Sequence, residues 1–190
     1  MGVLTSVGLL VLVGVLYVWY AAIVRRRNRV VEALAGIDVQ LQQRHDLIPN
    51  VLRIARRFME HESALLNEIT ALRTTAQQQL GVRDFARIPG KLEAEARLGQ
   101  QMGRLMLLVE NYPQLRSDAP MIEAQRAYAE VETNIAAARR FYNAAVTDLR
   151  NAVQIFPGQL LMGLAGVHAI PPPFEAAEAA RTPVDASKHL

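Results

Sequence analysis

Apolar residues along this chain follow two patterns, one continuous and one periodic. The continuous pattern covers residues 3–24, a run of 22 residues without a charged side chain. A helix of this length spans ~33 Å, which is enough to cross the hydrocarbon core of a bilayer. We therefore predict a transmembrane anchor over residues 1–24.

Aromatic and basic side chains mark the end of the apolar run. The residues predicted to lie at the membrane interface are Tyr17, Trp19, Tyr20, Arg25, Arg26, Arg27 and Arg29. A cleaved signal peptide is disfavoured, because its positive charge would precede a shorter apolar segment. The arginines follow the run instead, which predicts a single-pass protein with its N-terminus outside and the remainder in the cytoplasm.

From residue 25 onward the apolar positions recur at helical spacing. The first stripe is Val30, Leu34, Ile37, Leu41 and Ile48, with Arg44 in its gap. Two further stripes follow over residues 51–76 and 98–112, separated by a glycine- and proline-containing loop at 81–91. The pattern predicts an all-α protein, in which the transmembrane helix leads into an elongated antiparallel four-helix bundle over residues 25–170.

The fourth predicted helix, residues 119–156, carries two heptad rows. One row is Val131, Ala138, Ala145 and Ala152, and the other is Ile135, Tyr142, Leu149 and Phe156. A row of small residues beside a row of large ones is typical of a coiled-coil seam. At ~57 Å the helix is longer than a compact globule needs, which favours an elongated bundle.

Pro49 interrupts the first stripe. Inside a helix it would remove one hydrogen bond and clash with the carbonyl group of His45. Asp46 is a favourable N-cap residue. We therefore predict a chain reversal at residues 46–49, with a kinked continuous helix as the alternative.

Residues 158–190 divide into an apolar part and a polar part. Residues 158–170 are apolar and glycine-rich without a clear period. Packing on the bundle is favoured there, and insertion into the bilayer interface or docking of a partner are the alternatives. Residues 171–190 contain few large apolar side chains and are predicted to be a disordered tail.

Composition and motifs exclude several classes of function. The chain has no cysteine and a net charge of +3 without a polybasic block, which argues against thiolate chemistry and nucleic-acid binding. It contains no P-loop, GxSxG, GxGxxG or HExxH motif. We predict no catalytic residue, no cofactor and no metal site, and thus no enzyme.

Two arrangements of polar residues nevertheless remain as hypotheses. Glu62 lies on a predicted apolar stripe and would need a partner when buried. A structural polar cluster is therefore predicted from Glu62, Asn134, Arg139 and Asn143. The alternative is a membrane-tethered ligand- or metal-binding sensor that uses His45, Asp46, His61 and Glu62.

The chain resembles the LemA family over nearly its whole length. The resemblance lies in RRRNRVVEALAGIDVQLQQRHDLIPNVL, FMEHE, ENYPQLRSD, ETNIAAARRFYNAAV and IFPGQLL, which occur in the family's order. It implies a single-pass protein of the bacterial inner membrane with a long helical bundle and no established catalytic activity. The hypothesis that follows is a membrane-organising scaffold. Its expected partners are the lipid bilayer, further copies of the chain in a homo-oligomer, and other proteins.

Overall fold

This computed structural model describes residues 2–174 of the chain. Within this range lie six α-helices and one 3₁₀ turn, joined by short loops. The elements are α1 (Gly2–Ala55), the 3₁₀ turn Glu60–Glu62, α2 (Ser63–Gln77), α3 (Ile88–Val109), α4 (Pro113–Arg116), α5 (Ala119–Gln154) and α6 (Gly158–Leu161). Within residues 2–174 there is no β-strand. The predicted all-α class and its apolar N-terminal helix are confirmed.

The N-terminal part of α1 is long and apolar enough to cross a membrane. An 18-residue window of this helix has a mean hydropathy of 2.5, and only 6% of that window is buried. Burial by the rest of the protein begins near Trp19, and Ile23 is the first fully buried residue. The bundle therefore starts within the last turns of the apolar run.

The predicted reversal at residues 46–49 is wrong, because α1 continues through Pro49 to Ala55. Proline has no N–H group to donate to the carbonyl oxygen of His45, four residues earlier. Arg73 of α2 supplies the missing donor, because its Nε donates to the His45 carbonyl oxygen at 2.7 Å. Asp46 is accordingly not an N-cap but lies inside the helix, where its carboxylate accepts a hydrogen bond from Gln42. The chain reverses at residues 56–62 instead.

The four long helices α1, α2, α3 and α5 alternate in direction. Arg44 of α1 pairs with Glu132 of α5, whereas Arg29 lies over the ring of Phe141, so α1 and α5 are antiparallel. These two helices form the most extensive contact in the bundle. The heptad rows of α5 pack on α1 of the same chain, and only Phe156 is largely exposed.

The core has two parts along the bundle axis. The part nearer the apolar segment joins α1, α5 and the C-terminal residues and includes Ile23, Leu41, Ile135, Leu149 and Phe174. The distal part joins the end of α1 with α2, α3 and the start of α5 and includes Val51, Ile69, Leu105 and Met121. The buried charged groups described below lie where the two parts meet.

After α5 the chain turns sharply and returns along the bundle. A Cβ atom at Gly158 would lie 1.9 Å from the carbonyl oxygen of Ala152, so only glycine allows this close approach. Further on, Tyr142 donates to the Pro172 carbonyl oxygen, and Asn143 bonds both backbone groups of Phe174. The packed chain thus extends to Phe174 rather than ending at residue 170. Residues 175–190 of the predicted tail lie outside the described residues.

Candidate functional site

Within residues 2–174, four basic or acidic side chains are fully buried in the middle of the bundle. They are Arg44 and His45 of α1 and Lys91 and Glu95 of α3. Charged groups are costly to bury unless they are paired and hydrogen-bonded. The interactions that these four side chains make therefore determine their structural or chemical role.

The Glu95 carboxylate is held from two sides. One oxygen accepts from the guanidinium group of Arg44, and the other lies 2.9 Å from Nε2 of His45. Arg44 also donates to the Glu95 backbone carbonyl at 3.1 Å and to Glu132 of α5 at 3.1 Å. Arg44, His45, Glu95 and Glu132, hereafter the Arg44–Glu95 cluster, thus tie α1, α3 and α5 together.

A glycine makes room for this cluster. A Cβ atom at Gly99 would lie 3.3 Å from Nη1 of Arg44, which is tighter than an ordinary contact. Gly99 stands one helical turn beyond Glu95 on α3 and so leaves space for the guanidinium group. The close approach at this glycine is made by the Arg44 side chain of α1.

The electrostatic surroundings favour the ionised forms of Glu95 and Arg44. Burial is the strongest influence on Glu95 and opposes its ionisation, but the hydrogen bond from His45 and the charge of Arg44 together hold its pKa below the ordinary value. Burial likewise opposes the charge on Arg44, but Glu95 and Glu132 raise its pKa. The paired charges of Arg44 and Glu95 therefore fix the register of α1 relative to α3.

A second ionic group lies one to two turns closer to the apolar segment. The Asp38 carboxylate accepts from Lys91, which is fully buried, and from the half-exposed Arg83. It also accepts from the Gly81 backbone N–H at 3.2 Å. Asp38 therefore fixes both α3 and the α2–α3 loop to α1.

The predicted cluster of Glu62, Asn134, Arg139 and Asn143 does not form as one unit. Glu62 lies in the 3₁₀ turn between α1 and α2, and no hydrogen bond or ion pair within the described chain joins it to the other three. Asn134 is exposed. Arg139 lies over the Phe174 ring at 5.0 Å, and Asn143 bonds the Phe174 backbone. These two residues hold Phe174 against the bundle.

The four residues of the alternative sensor are likewise separated. His45 is buried against Glu95, Asp46 faces outward, and His61 and Glu62 lie in the 3₁₀ turn. Residues 2–174 bring no group of three or more potential metal-ligating side chains of these types together. No geometry in this region therefore favours the sensor hypothesis.

The residues predicted at the membrane interface lie on α1, at the level where the bundle begins. Tyr17, Tyr20, Arg25, Arg26 and Arg29 are exposed, whereas Trp19 and Arg27 are half-buried. Arg27 lies beside Gly166, and Arg29 lies over Phe141 with 5.8 Å between the guanidinium carbon and the ring centroid. The arginines therefore lie around the end of the bundle that is next to the apolar segment.

The Arg44–Glu95 cluster predicts a specific response to acid. Because the pKa of Glu95 is lowered by folding, its contribution to stability is present above ~4.3, the ordinary pKa of glutamate, and is lost as the pH falls further. The free energies of unfolding of the wild type and a Glu95→Gln variant should therefore converge as the pH falls below ~4.3. Urea unfolding at several pH values measures this, and a constant difference would contradict it.

Comparison with protein-family models gives a match. The family model described as the LemA family matches residues 33–187, which is most of the chain. No curated protein matches it. The matched region includes the Arg44–Glu95 cluster and begins after the apolar segment.

Proposed function

Because the chain belongs to the LemA family, which is not a known enzyme family, we propose that it is a non-enzymatic scaffold of the bacterial inner membrane. Family membership and the apolar N-terminal helix together fit a membrane-associated helical protein. In the proposal, residues 1–24 anchor the chain with its N-terminus outside and its bundle in the cytoplasm. The anchored bundle then associates with further copies and organises the membrane around them.

The continuity of α1 supports a rigid scaffold. A single helix of 54 residues contains both the apolar segment and the first helix of the bundle. Its length is ~80 Å at the usual rise per residue. A rod without a flexible linker fixes the orientation of the bundle relative to its anchor, and such fixed orientation suits repeated lateral contacts between copies.

The observation that carries the self-association proposal is an exposed groove between α1 and α5. Small and polar residues line it together with the aromatic ring of Phe141, and they include Ala33, Gly36 and Gln40 of α1 and Asn134 and Ala137 of α5. Gly36 is exposed, and a Cβ atom there would meet nothing within 4 Å. The Gln40 side-chain oxygen is buried and has no hydrogen-bond partner within residues 2–174.

The same groove carries a projecting aromatic side chain. Phe141 is 49% exposed and lies beside the small residues that line the groove. A face with both a projection and a hollow can complement a second copy of itself in a two-fold interface. Anchoring in one membrane also confines copies to parallel orientations and raises their effective concentration. We therefore commit to a second copy of this chain as the occupant.

The heptad rows of α5 are a weaker argument for self-association than the sequence alone indicated. Ile135, Tyr142 and Leu149 pack against α1 within the chain. Ala138 is the half-buried member that also lines the α1–α5 groove. The proposal therefore rests on the groove and not on a coiled coil between chains.

Filling the groove should abolish association without harming the bundle. A Gly36→Leu variant adds a side chain in open space on a helix, where leucine is also the better helix former. We expect wild-type full-length protein in detergent to have a mass that is a discrete multiple of 21.1 kDa, and the variant to be monomeric. Light scattering or mass photometry measures both.

The control is Gly103→Leu, at another exposed helical glycine with open space around it, but on α3. It should retain the wild-type mass. A wild type that is strictly monomeric at micromolar concentration would overturn the self-association proposal, and equal loss in both variants would overturn the assignment to the groove.

A further inference from the structure

The turn between α5 and α6 exposes a concentration of large apolar side chains. The exposed fractions in this α5–α6 corner, residues 155–167, are 56% for Ile155, 76% for Phe156, 70% for Leu160 and 76% for Leu164. Residues 151–174 contain no Asp, Glu, Lys or Arg. A patch of this kind on a protein surface marks a contact with a protein partner or a membrane.

The α5–α6 corner is a folded element with buried residues of its own, and not a frayed helix end. Its inward residues Gly158, Ala165 and Val167 are buried, and Gly158 approaches the backbone at Ala152 too closely for any side chain. With these positions fixed, Phe156, Leu160 and Leu164 are left on the outside. Their exposure is therefore a consequence of the fold.

The position of the corner along α1 identifies what covers these side chains. Ile23, at the end of the apolar segment, belongs to the same core cluster as Ala165 and Val167. A Cβ atom at Gly166 would lie 3.9 Å from Nε of Arg27. The antiparallel register of α1 and α5 also places the end of α5 beside residues 16–22. The corner is therefore level with the last turns of the apolar segment.

We infer that the α5–α6 corner lies in the boundary between the lipid headgroups and the acyl chains, as a second membrane contact beside the anchor. Apolar side chains that a fold holds at this level gain free energy when acyl chains cover them. The exposed Arg25 and Arg26 stand at the same level on α1, where they meet lipid phosphates. This inference rests on the proposed anchor, and its partner is the bilayer that holds residues 1–24.

The absence of cysteine from the sequence makes a direct test simple. Single variants Phe156→Cys, Leu160→Cys and Leu164→Cys each receive a nitroxide label in the full-length protein. The protein is placed in vesicles of phosphatidylethanolamine and phosphatidylglycerol. Paramagnetic resonance then compares collisions of the label with oxygen, which concentrates in lipid, and with a water-soluble nickel complex.

Two further positions calibrate the measurement. Leu12→Cys lies within the apolar segment, and Ser117→Cys is exposed at the opposite end of the bundle. We expect the ratio of oxygen to nickel accessibility at Phe156, Leu160 and Leu164 to exceed that at Ser117 several-fold. The corner labels should also give values between those of Ser117 and Leu12, as an interfacial depth requires.

The controls separate failure of this inference from failure of the anchor. Water exposure at all three corner positions with lipid exposure at Leu12 would overturn the inference and leave the anchor intact. Shielding of the corner from both reagents would overturn it in favour of a protein contact. Water exposure at Leu12 would overturn the anchor and the inference together.

Discussion

Replacing Glu95 by alanine is expected to destabilise the protein by ~3–5 kcal/mol, because it leaves the charge of Arg44 buried without its main partner. The loss should exceed what one hydrogen bond contributes, since the Arg44 guanidinium group is fully buried and cannot regain water. The remaining carboxylate near it, Glu132, is one-third exposed and contacts Arg44 from the other side. It cannot replace Glu95 on α3.

A neighbouring glutamate on the same helix provides the control. Glu93 pairs with Arg97 at 2.6 Å, but both side chains are about two-thirds exposed. A Glu93→Ala variant should therefore lose only ~0.3–0.5 kcal/mol. Urea unfolding of the full-length variants in detergent, followed by circular dichroism, measures both losses. Similar small losses of stability in the two variants would contradict the role of the Arg44–Glu95 cluster in holding α1, α3 and α5 together.

The sequence contained the signal for this cluster, although in two separate places. Arg44 occupies the gap in the first apolar stripe. On α3 the predicted stripe began at Leu98, but the same three- and four-residue spacing continues back through Glu95 and Lys91 to Ile88. Charges of opposite sign on two buried stripes predict a buried pair. Which stripes face each other, however, depends on tertiary packing that periodicity alone does not determine.

The apolar pattern predicts a buried Glu62 only if residues 51–76 form one helix. The stripe over residues 51–76 was interpreted as one helix, but α1 ends at Ala55 and α2 begins at Ser63. The apolar positions on either side of the turn therefore belong to two helices with different phases. Glu62 lies just before α2, where it has no need of a buried partner.

The course of the chain at Pro49 could not be predicted from local chemistry. Proline normally ends or kinks a helix because the carbonyl group four residues earlier is left without a donor. Here Arg73, on a different helix, donates to the carbonyl oxygen of His45. Arg73 and His45 are 28 residues apart in the sequence, so residues 42–50 alone do not indicate this hydrogen bond. The four-helix architecture was predicted correctly even though the first reversal was not.

Two adjacent aromatic residues of α5 should separate the stability of the bundle from its association. Tyr142 is fully buried, meets Phe174 edge to face at 5.4 Å and donates to the Pro172 carbonyl oxygen. A Tyr142→Ala variant should therefore lose ~3–5 kcal/mol of stability. Its oligomeric mass in native conditions should not change, because Tyr142 faces the interior.

Phe141 points the other way, and a Phe141→Ala variant should show the reverse pattern. Its ring is half-exposed and contacts the chain through Arg29, so removing it should cost at most ~1 kcal/mol of stability. In the proposed two-fold interface the same ring fills the hollow of a second copy. Truncating an aromatic anchor of this kind should weaken association by ~10-fold or more.

Urea unfolding and a dilution series by mass photometry, applied to both variants, give the four measurements that the comparison needs. A Phe141→Ala variant with unchanged mass at every concentration would contradict the groove between α1 and α5 as the interface. Loss of association in Tyr142→Ala at full helicity would instead assign the interface to the face covered by Phe174. Because the two residues are consecutive, helix propensity and local sequence are closely matched, and a difference in outcome depends on which way each ring points.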